Sequence, residues 1–391
     1  MSCYISSNNN RVFVALETTY GAVGAITGAN RIPLLKLGAK QVPEHTGRRD
    51  KTGSRTFPGL PNRVRKDTTF RFEHTDDGVG ECSRGSAAWA VVSGGVGRVA
   101  ADIRGRDGGE CTDDHADRVQ CGARVGGGTR RDVRRRDAIR HGGSEFDDGG
   151  NQCAVHGRRR SRGSVLGATV TYPVATDLAG VSVFDFWDPA EAVQRILNGS
   201  AMDLMKVKVN GDLHEFEFSG PARDLLDSAS FETGQASLSE FPAEPASIGF
   251  DYTVVPGHLG QVWMGSTPTE MHAITAAELK VDNHIDLRAR EFGSDFAHCI
   301  AAGQRSVRLD FRVFAQDEAE TVGLYQAARQ RSPIGVMLQL GEAQGQLFGA
   351  YMPAMVPEVP EFLDGETRLE WSFANSQAQG TVNDELYVAF G

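Results

Sequence analysis

A strict alternation of apolar and polar side chains in the C-terminal third is the strongest constraint on how this chain can fold. In Ser306-Val307-Arg308-Leu309-Asp310-Phe311-Arg312-Val313-Phe314 the apolar set (Val307, Leu309, Phe311, Val313) falls on one side of an extended chain. Arg308, Asp310 and Arg312 fall on the other. A helix cannot satisfy a period of two, so the pattern demands a strand with one buried face. The same alternation runs through Ala277-Glu278-Leu279-Lys280-Val281-Asp282-Asn283. Downstream, Asp317-Glu318-Ala319-Glu320 precedes an apolar helical spacing at Val322, Tyr325 and Ala328. Carboxylates favour the positive end of a helix dipole, so a helix is expected to start there. Ser332-Pro333 should stop it, because the residue before proline is pushed out of the α region. Strands are then expected at 334–340 and 346–352 around a glycine-containing turn, and at 367–373 and 385–390.

Upstream, residues 11–73 hold strand-like runs at 12–16, 34–40 and 68–72, separated by the basic loop Gly47-Arg48-Arg49-Asp50-Lys51-Thr52-Gly53-Ser54-Arg55. Arg48, Arg49, Lys51 and Arg55 are candidates to contact a neighbouring subunit or a partner's carboxylates; a solvated loop is the plainer alternative. The glycine spacing before Lys51 does not fit a Walker-type phosphate loop. Residues 168–172 and 180–186 alternate as strands. Asp188-Pro189 predicts a helix with an N-cap and a first-turn proline, running through Val193, Ile196 and Leu197 to Asn198-Gly199. Residues 204–209 and 213–218 read as a hairpin, since Asn210-Gly211 supplies the positive φ angles of a tight turn. Lys206 and Lys208 on one strand should pair with Glu215 and Glu217 on the other, and these four join the candidate interface residues. His214 reads as an exposed strand histidine. Residues 224–227 and the stretch to Pro245 read as loop anchored by Phe231 and Phe241, and 250–255 as a further strand.

Residues 74–163 are foreign in composition. They contain no Lys, Leu, Met, Tyr or Pro, are rich in Arg, Gly and Asp, and hold Cys82, Cys111, Cys121 and Cys153. With Trp89 and Phe146 as the only large aromatics they have little apolar surface to offset the entropy of ordering, so disorder is expected. An out-of-frame reading of a GC-rich gene segment accounts for this composition. The segment also holds imitations of functional motifs. The glycine turn at 90–100 resembles a dinucleotide site, Cys111, Cys121, His115 and His141 a zinc site, and 130–136 a basic nucleic-acid patch. Each lacks its supporting context: a strand-turn-helix frame, a Cys-x-x-Cys knuckle, or interleaved aromatics.

Charge and motifs exclude further classes. A net charge of −10 argues against gripping nucleic acid by its phosphates. Six unevenly placed cysteines do not make a secreted disulfide scaffold. No apolar run approaches the roughly 20 residues of a membrane span, and the polar start is unlike a signal peptide, so a soluble chain made in the cytoplasm is expected. No nucleophile elbow and no His-Glu-x-x-His helix is present, so no enzyme activity, cofactor or metal is expected. The sequence also echoes itself. Residues 35–37 and 65–72 match 279–281 and 305–314, and the expected helix and hairpin after 189 match those after 318, with about a hundred extra residues in the first copy.

Several of these residues resemble a known family. Phe292-Gly293, the strand at 305–314, the helix, Val336-Met337-Leu338-Gln339-Leu340-Gly341, the closing Asn383-Asp384-Glu385-Leu386-Tyr387-Val388-Ala389-Phe390 and the opening Leu16-Glu17-Thr18-Thr19-Tyr20-Gly21 are similar to tail tube (major tail) proteins of long-tailed bacteriophages. The resemblance covers residues 11–73 and about 166–391. It implies a mainly β fold, with β-sandwich units of antiparallel sheet carrying a packed helix, two to a chain. Residues 1–73 and 166–265 would form the first unit, interrupted by 74–165, and 266–391 the second. It further implies a virion protein, assembled in a host bacterial cytoplasm from phage or prophage genes, whose copies join sheet edges into stacked rings. Those rings, trimeric with pseudo-sixfold symmetry or hexameric, would pass DNA through a negatively biased channel without binding it. Tape-measure, tail-terminator and baseplate proteins would be its partners, with no membrane. The alternatives are the inner tube of a contractile injection system, or a nucleotide- or zinc-binding enzyme using residues 90–160.

Overall fold

The computed structural model describes residues 4–44, 51, 53–56, 59, 64–75, 170–209, 213–246, 254–342, 347–365 and 367–390, and it is mainly antiparallel β with one α-helix among them. The strands to residue 227 are β1 (Asn10–Leu16), β2 (Arg31–Ile32), β3 (Lys36–Glu44), β4 (Arg65–Thr75), β5 (Val170–Pro173), β6 (Val181–Trp187), β7 (Arg195–Ser200), β8 (Leu204–Val209), β9 (His214–Ala222) and β10 (Asp224–Asp227). Those that follow are β11 (Gly260–Gly265), β12 (Thr269–Glu270), β13 (Ile274–Asp282), β14 (Asp286–Leu287), β15 (Ile300–Ala301), β16 (Ser306–Phe314), β17 (Ile334–Leu340), β18 (Phe348–Val356), β19 (Glu361–Leu363), β20 (Glu370–Ala378) and β21 (Tyr387–Phe390). The helix α1 (Ala319–Gln330) lies between β16 and β17. No helix among the described residues is long and apolar enough to cross a membrane.

The alternating runs fold as their period demands. In β16 Val307, Leu309, Phe311 and Val313 are buried while Arg308 and Arg312 are exposed, and β13 buries Ala277, Leu279 and Val281. The two pair in register, Leu279 opposite Leu309 and Val281 opposite Val307. Two sheets hold most of the strands. A five-stranded sheet runs β10-β7-β6-β1-β2, and a larger one follows β12-β11-β17-β18-β20-β16-β13-β8-β9-β4-β3, with β19 added to β20 and β21 joining β18 to β5. Val12, Val14, Val181 and Val183 of the smaller sheet share one core with Phe70, Phe72, Met205, Val207, Phe216 and Phe218 of the larger. That is the packing of a β-sandwich, each layer burying one face against the other.

Four local expectations are corrected. Residues 189–192 make a tight turn, Ala192 N–H donating to the Pro189 carbonyl (2.8 Å), and 195–200 form the strand β7 where a helix was expected. The reason is that Ile196 and Leu197 serve opposite cores, Leu197 the shared one and Ile196 a second cluster with Phe13, Phe184, Phe186 and Leu226. Neighbouring residues point 180° apart only in a strand. Gln194 seals the turn: its amide donates to the carbonyls of Trp187 (2.9 Å) and Ala192 (3.0 Å), and its oxygen accepts the Trp187 N–H. Likewise β6 does not alternate between core and solvent, because Val183 faces the shared core and Phe184 the second one. Residues 224–227, expected as loop, are the strand β10, paired with β7.

The fourth correction is the face of α1. Thr321, Leu324, Ala327 and Ala328 are buried, whereas Val322 is exposed. The buried stripe thus starts one residue earlier than the Val322-Tyr325-Ala328 spacing implies. Tyr325 instead rests at the rim, its ring against Trp371 (5.5 Å between centroids) and Phe362 (6.0 Å). The helix ends as expected just before Ser332-Pro333, with Arg331 in the left-handed region (φ 52°) donating its N–H to the last turn. Chemical denaturation should separate the two faces: Leu324→Ala should cost about 2–5 kcal/mol, and Val322→Ala should stay within about 0.5 kcal/mol.

Candidate assembly surface

The polar face of the large sheet brings together four of the eight candidate interface residues, Lys206, Lys208, Glu215 and Glu217. Across β3-β4-β9-β8-β13-β16 one row reads Lys36, Glu73, Glu217, Lys206, Lys280, Arg308, and the adjacent row reads Glu215, Lys208, Glu278, Asp310 from β9 to β16. The expected hairpin pairs form, Lys206 to Glu217 (3.7 Å) and Lys208 to Glu215 (3.8 Å). Like charges also stand directly opposite, Glu73 beside Glu217 and Lys206 beside Lys280, which alone would be unfavourable. Diagonal partners relieve this. Arg71 reaches both Glu73 and Glu217 (3.1 Å each), and Lys280 reaches Asp310 (2.5 Å) and Glu278 (3.4 Å). Burial works against the Lys280 charge, but Asp310 and Glu278 outweigh it and hold its pKa above the ordinary lysine value. Glu217 is itself buried, and the other pairs are half-buried or exposed; exposed pairs contribute about 0–1 kcal/mol each, so the outer part of the lattice sets register and surface character more than stability.

Two edges bound this face. Among the described residues β3 pairs only with β4, and β19 only with β20. Both therefore present a row of backbone groups without a strand partner, which is an open template for another chain. Lys36, Lys40 and Val42 of β3 are exposed, as are Glu361 and Phe362 of β19. Lys51 and Arg55 lie exposed outside any strand. Arg48, Arg49, most of the strand expected at 250–255 and the turns at 210–212 and 343–346 lie outside the described residues. So do the features assigned to 76–163: the glycine turn, the Cys/His set and the arginine run. Phe292, beside Gly293 in the left-handed region (φ 85°), is fully exposed; close by, the Arg65 guanidinium donates to the Glu291 carbonyl (3.0 Å).

A buried polar node supports the smaller sheet. Glu17 follows β1, and its carboxylate accepts the N–H groups of Gly21 and Gly199 and the Ser182 hydroxyl, all at 2.7 Å. Gly199 adopts φ 57°, and a Cβ there would strike Arg223 and crowd the Tyr20 ring, so this position requires glycine. Burial pushes the Glu17 pKa above the usual glutamate value, against the pull of those three donors and the nearby Arg223 charge. The opening Leu16-Glu17-Thr18-Thr19-Tyr20-Gly21 is thus organised by one carboxylate, a role that no local pattern in the sequence reveals, since two of its three partners, Ser182 and Gly199, lie 165 and 182 residues away. Glu17→Ala would leave three buried donors without an acceptor. A loss of about 3 kcal/mol or more in denaturant unfolding is expected.

His214 is a correction: it is fully buried at the start of β9, where exposure was expected. Neither ring nitrogen has a hydrogen-bond partner of normal geometry among the described residues. Burial pushes its pKa below the ordinary 6.5, against a smaller upward pull from the Leu259 backbone. The native state therefore takes up this proton later than the unfolded chain as pH falls, so stability is lost below about pH 6.5 until the lowered native value is reached. Urea unfolding at about pH 7.5 and about pH 5.5 should show that loss, and His214→Leu should diminish it.

Among the described residues no group of three or more His, Cys, Asp or Glu side chains is placed to hold a metal ion. Neither models of known protein families nor curated proteins match the chain.

Proposed function

We propose that this chain is a tube-forming structural subunit of the phage tail type, carrying two similar units whose sheets join edge to edge with those of other copies. The observation that carries the reading is a recurrence in strand pairing. The first unit pairs β2-β1-β6-β7-β10 in one layer and β3-β4-β9-β8 in the other. The second pairs β12-β11-β17-β18-β21 and β13-β16-β20-β19 in the corresponding order. Apart from β5, β14 and β15, each strand of one unit takes a counterpart at the same place in chain order, β1 with β11, β8 with β19 and β9 with β20. On this reading the hairpin β8–β9 corresponds to β19–β20 and not, as the sequence echo implies, to β17–β18, and α1 falls where the first unit carries the residues between β4 and β6.

The second layers of the two units join through β8 and β13, paired antiparallel from Ala277 opposite Val209 to Asp282 opposite Leu204. The result is an eight-stranded run, β3-β4-β9-β8-β13-β16-β20-β19, in which β3 and β19 lack an outer strand among the described residues, while the far end of β20 also pairs β18 (Met355 opposite Ala378, Val356 opposite Gln377). A run with two different open ends favours head-to-tail association, which closes into a ring when the rotation between copies permits. The charged face of this run is the candidate channel lining. The acidic excess of the chain is not concentrated in its two rows, where five cations stand among five carboxylates and Lys206, Lys208 and Lys280 are held by Glu217, Glu215 and Asp310. Cations held in this way are less able to grip passing phosphates. The tape-measure, terminator and baseplate partners, and location in a virion tail, belong to the same proposal.

Electron microscopy of the purified full chain tests it. Hollow rings or tubes are expected, with sedimentation showing species well above 42.2 kDa. A chain that remains a 42.2 kDa monomer at high concentration would contradict the reading.

A further inference from the structure

We infer that the contact between copies is made by β3 of one chain adding antiparallel to β19 of the next, a specific junction that rests on the two-unit reading above. Three observations lead to it. First, the chain contains a template for the joint. If β8 corresponds to β19 and β13 to β3, the internal β8–β13 ladder is what a β19–β3 ladder would repeat between chains. Second, these are the two ends of the eight-stranded run, and among the described residues each lacks a partner on its outer side. Third, the two edges are complementary on both faces. On the charged face β3 offers Lys36 and Lys40, whereas Glu361 lies at the β19 edge, on the same face as Ser372 and Arg312, with exposed Glu358 just before it. On the core face Phe362, half exposed, stacks on Trp371 (5.5 Å between centroids), and β3 offers the partly buried Leu37 and Ala39.

The internal ladder is mixed on its charged face, Lys208 opposite Glu278 but Lys206 opposite Lys280, and apolar on its core face, Val207 opposite Leu279. Main-chain hydrogen bonds would supply the attraction at the new joint, and the charges would select the partner edge and reject two identical edges meeting. Lys36 facing Lys36 is repulsive, and so is Glu361 facing Glu361. This favours a head-to-tail joint over a symmetric dimer.

Charge reversal on full-length protein tests the assignment. Lys36→Glu with Lys40→Glu, or Glu358→Lys with Glu361→Lys, should each weaken association by about tenfold or more, read by sedimentation and electron microscopy. All four changes in one chain should restore it. The altered residues are exposed, and unfolding midpoints equal to that of the unaltered chain will show that each variant folds. Assembly that survives both reversals, or that is lost in both and not restored by the combination, overturns the β3–β19 joint and leaves the tube reading standing. An unaltered chain that never assembles overturns the tube reading and the joint with it.

Discussion

The ladder between β8 and β13 is the constraint on which the architecture depends. It is made of backbone hydrogen bonds over residues 204–209 and 277–282, and it converts strands from either side of residue 260 into one continuous sheet. The core follows from it. Met205 and Val207 of β8 lie beside Leu279 and Val281 of β13 in one apolar cluster that extends to Leu309, Phe311 and Phe373. Phe311 stacks on Phe373 with centroids 4.5 Å apart. Buried aromatic pairs of this kind add about 0.5–1.5 kcal/mol beyond their area. Because this larger cluster runs unbroken across the join, disturbing either side of it should be felt on the other.

Against that apolar frame the buried polar groups have defined tasks. Glu17 gathers donors from Gly21, Ser182 and Gly199 and thereby ties the ends of β1, β6 and β7 together. Arg305 does similar work at the other end of the chain. Its guanidinium donates to Glu385, to Asn383 and to the Ala175 carbonyl, each at 2.9 Å, and pins the entry to β21. Asn283 donates to the Met202 carbonyl (2.9 Å), and its N–H groups and those of its neighbours fix the turn beside the β8–β13 ladder. A buried polar group is tolerated only where its hydrogen bonds are made, which is why these sites sit at strand ends, where backbone donors are spare for Glu17 and backbone carbonyls for Arg305 and Asn283.

Much of the sheet was legible before any coordinates because period-two alternation is a local signal. The strands at 277–282, 306–314 and 204–209 follow directly from it, and the helix beginning near residue 319 from its acidic start and the proline that ends it. The failures share a cause. Residues 195–200 and 224–227 lie between two cores, so their apolar residues are adjacent and mimic a helix or a loop. His214 has the neighbours of an exposed strand residue, and only the chain passing over it through Leu259 and Gly260 buries it. Glu17, through Ser182 and Gly199, and Arg305, through Ala175, Asn383 and Glu385, act on partners too far away in sequence for a window of residues to contain. The candidate interface divided in the same way: the lysine–glutamate pairs of the hairpin were visible as alternation, whereas the open ends of the sheet exist only once the order of strands is known.

The central claim is that this order leaves two complementary edges for copies of the chain to join. Hydrogen exchange followed by mass spectrometry, compared between dilute and concentrated full-length protein, reads those edges directly. Backbone amides in an unpaired edge exchange quickly, and strand pairing slows them. The account predicts that concentration brings new protection to residues 36–42 and 361–363, with the already paired 277–282 little changed. Protection that appears elsewhere while both edges continue to exchange freely would contradict it.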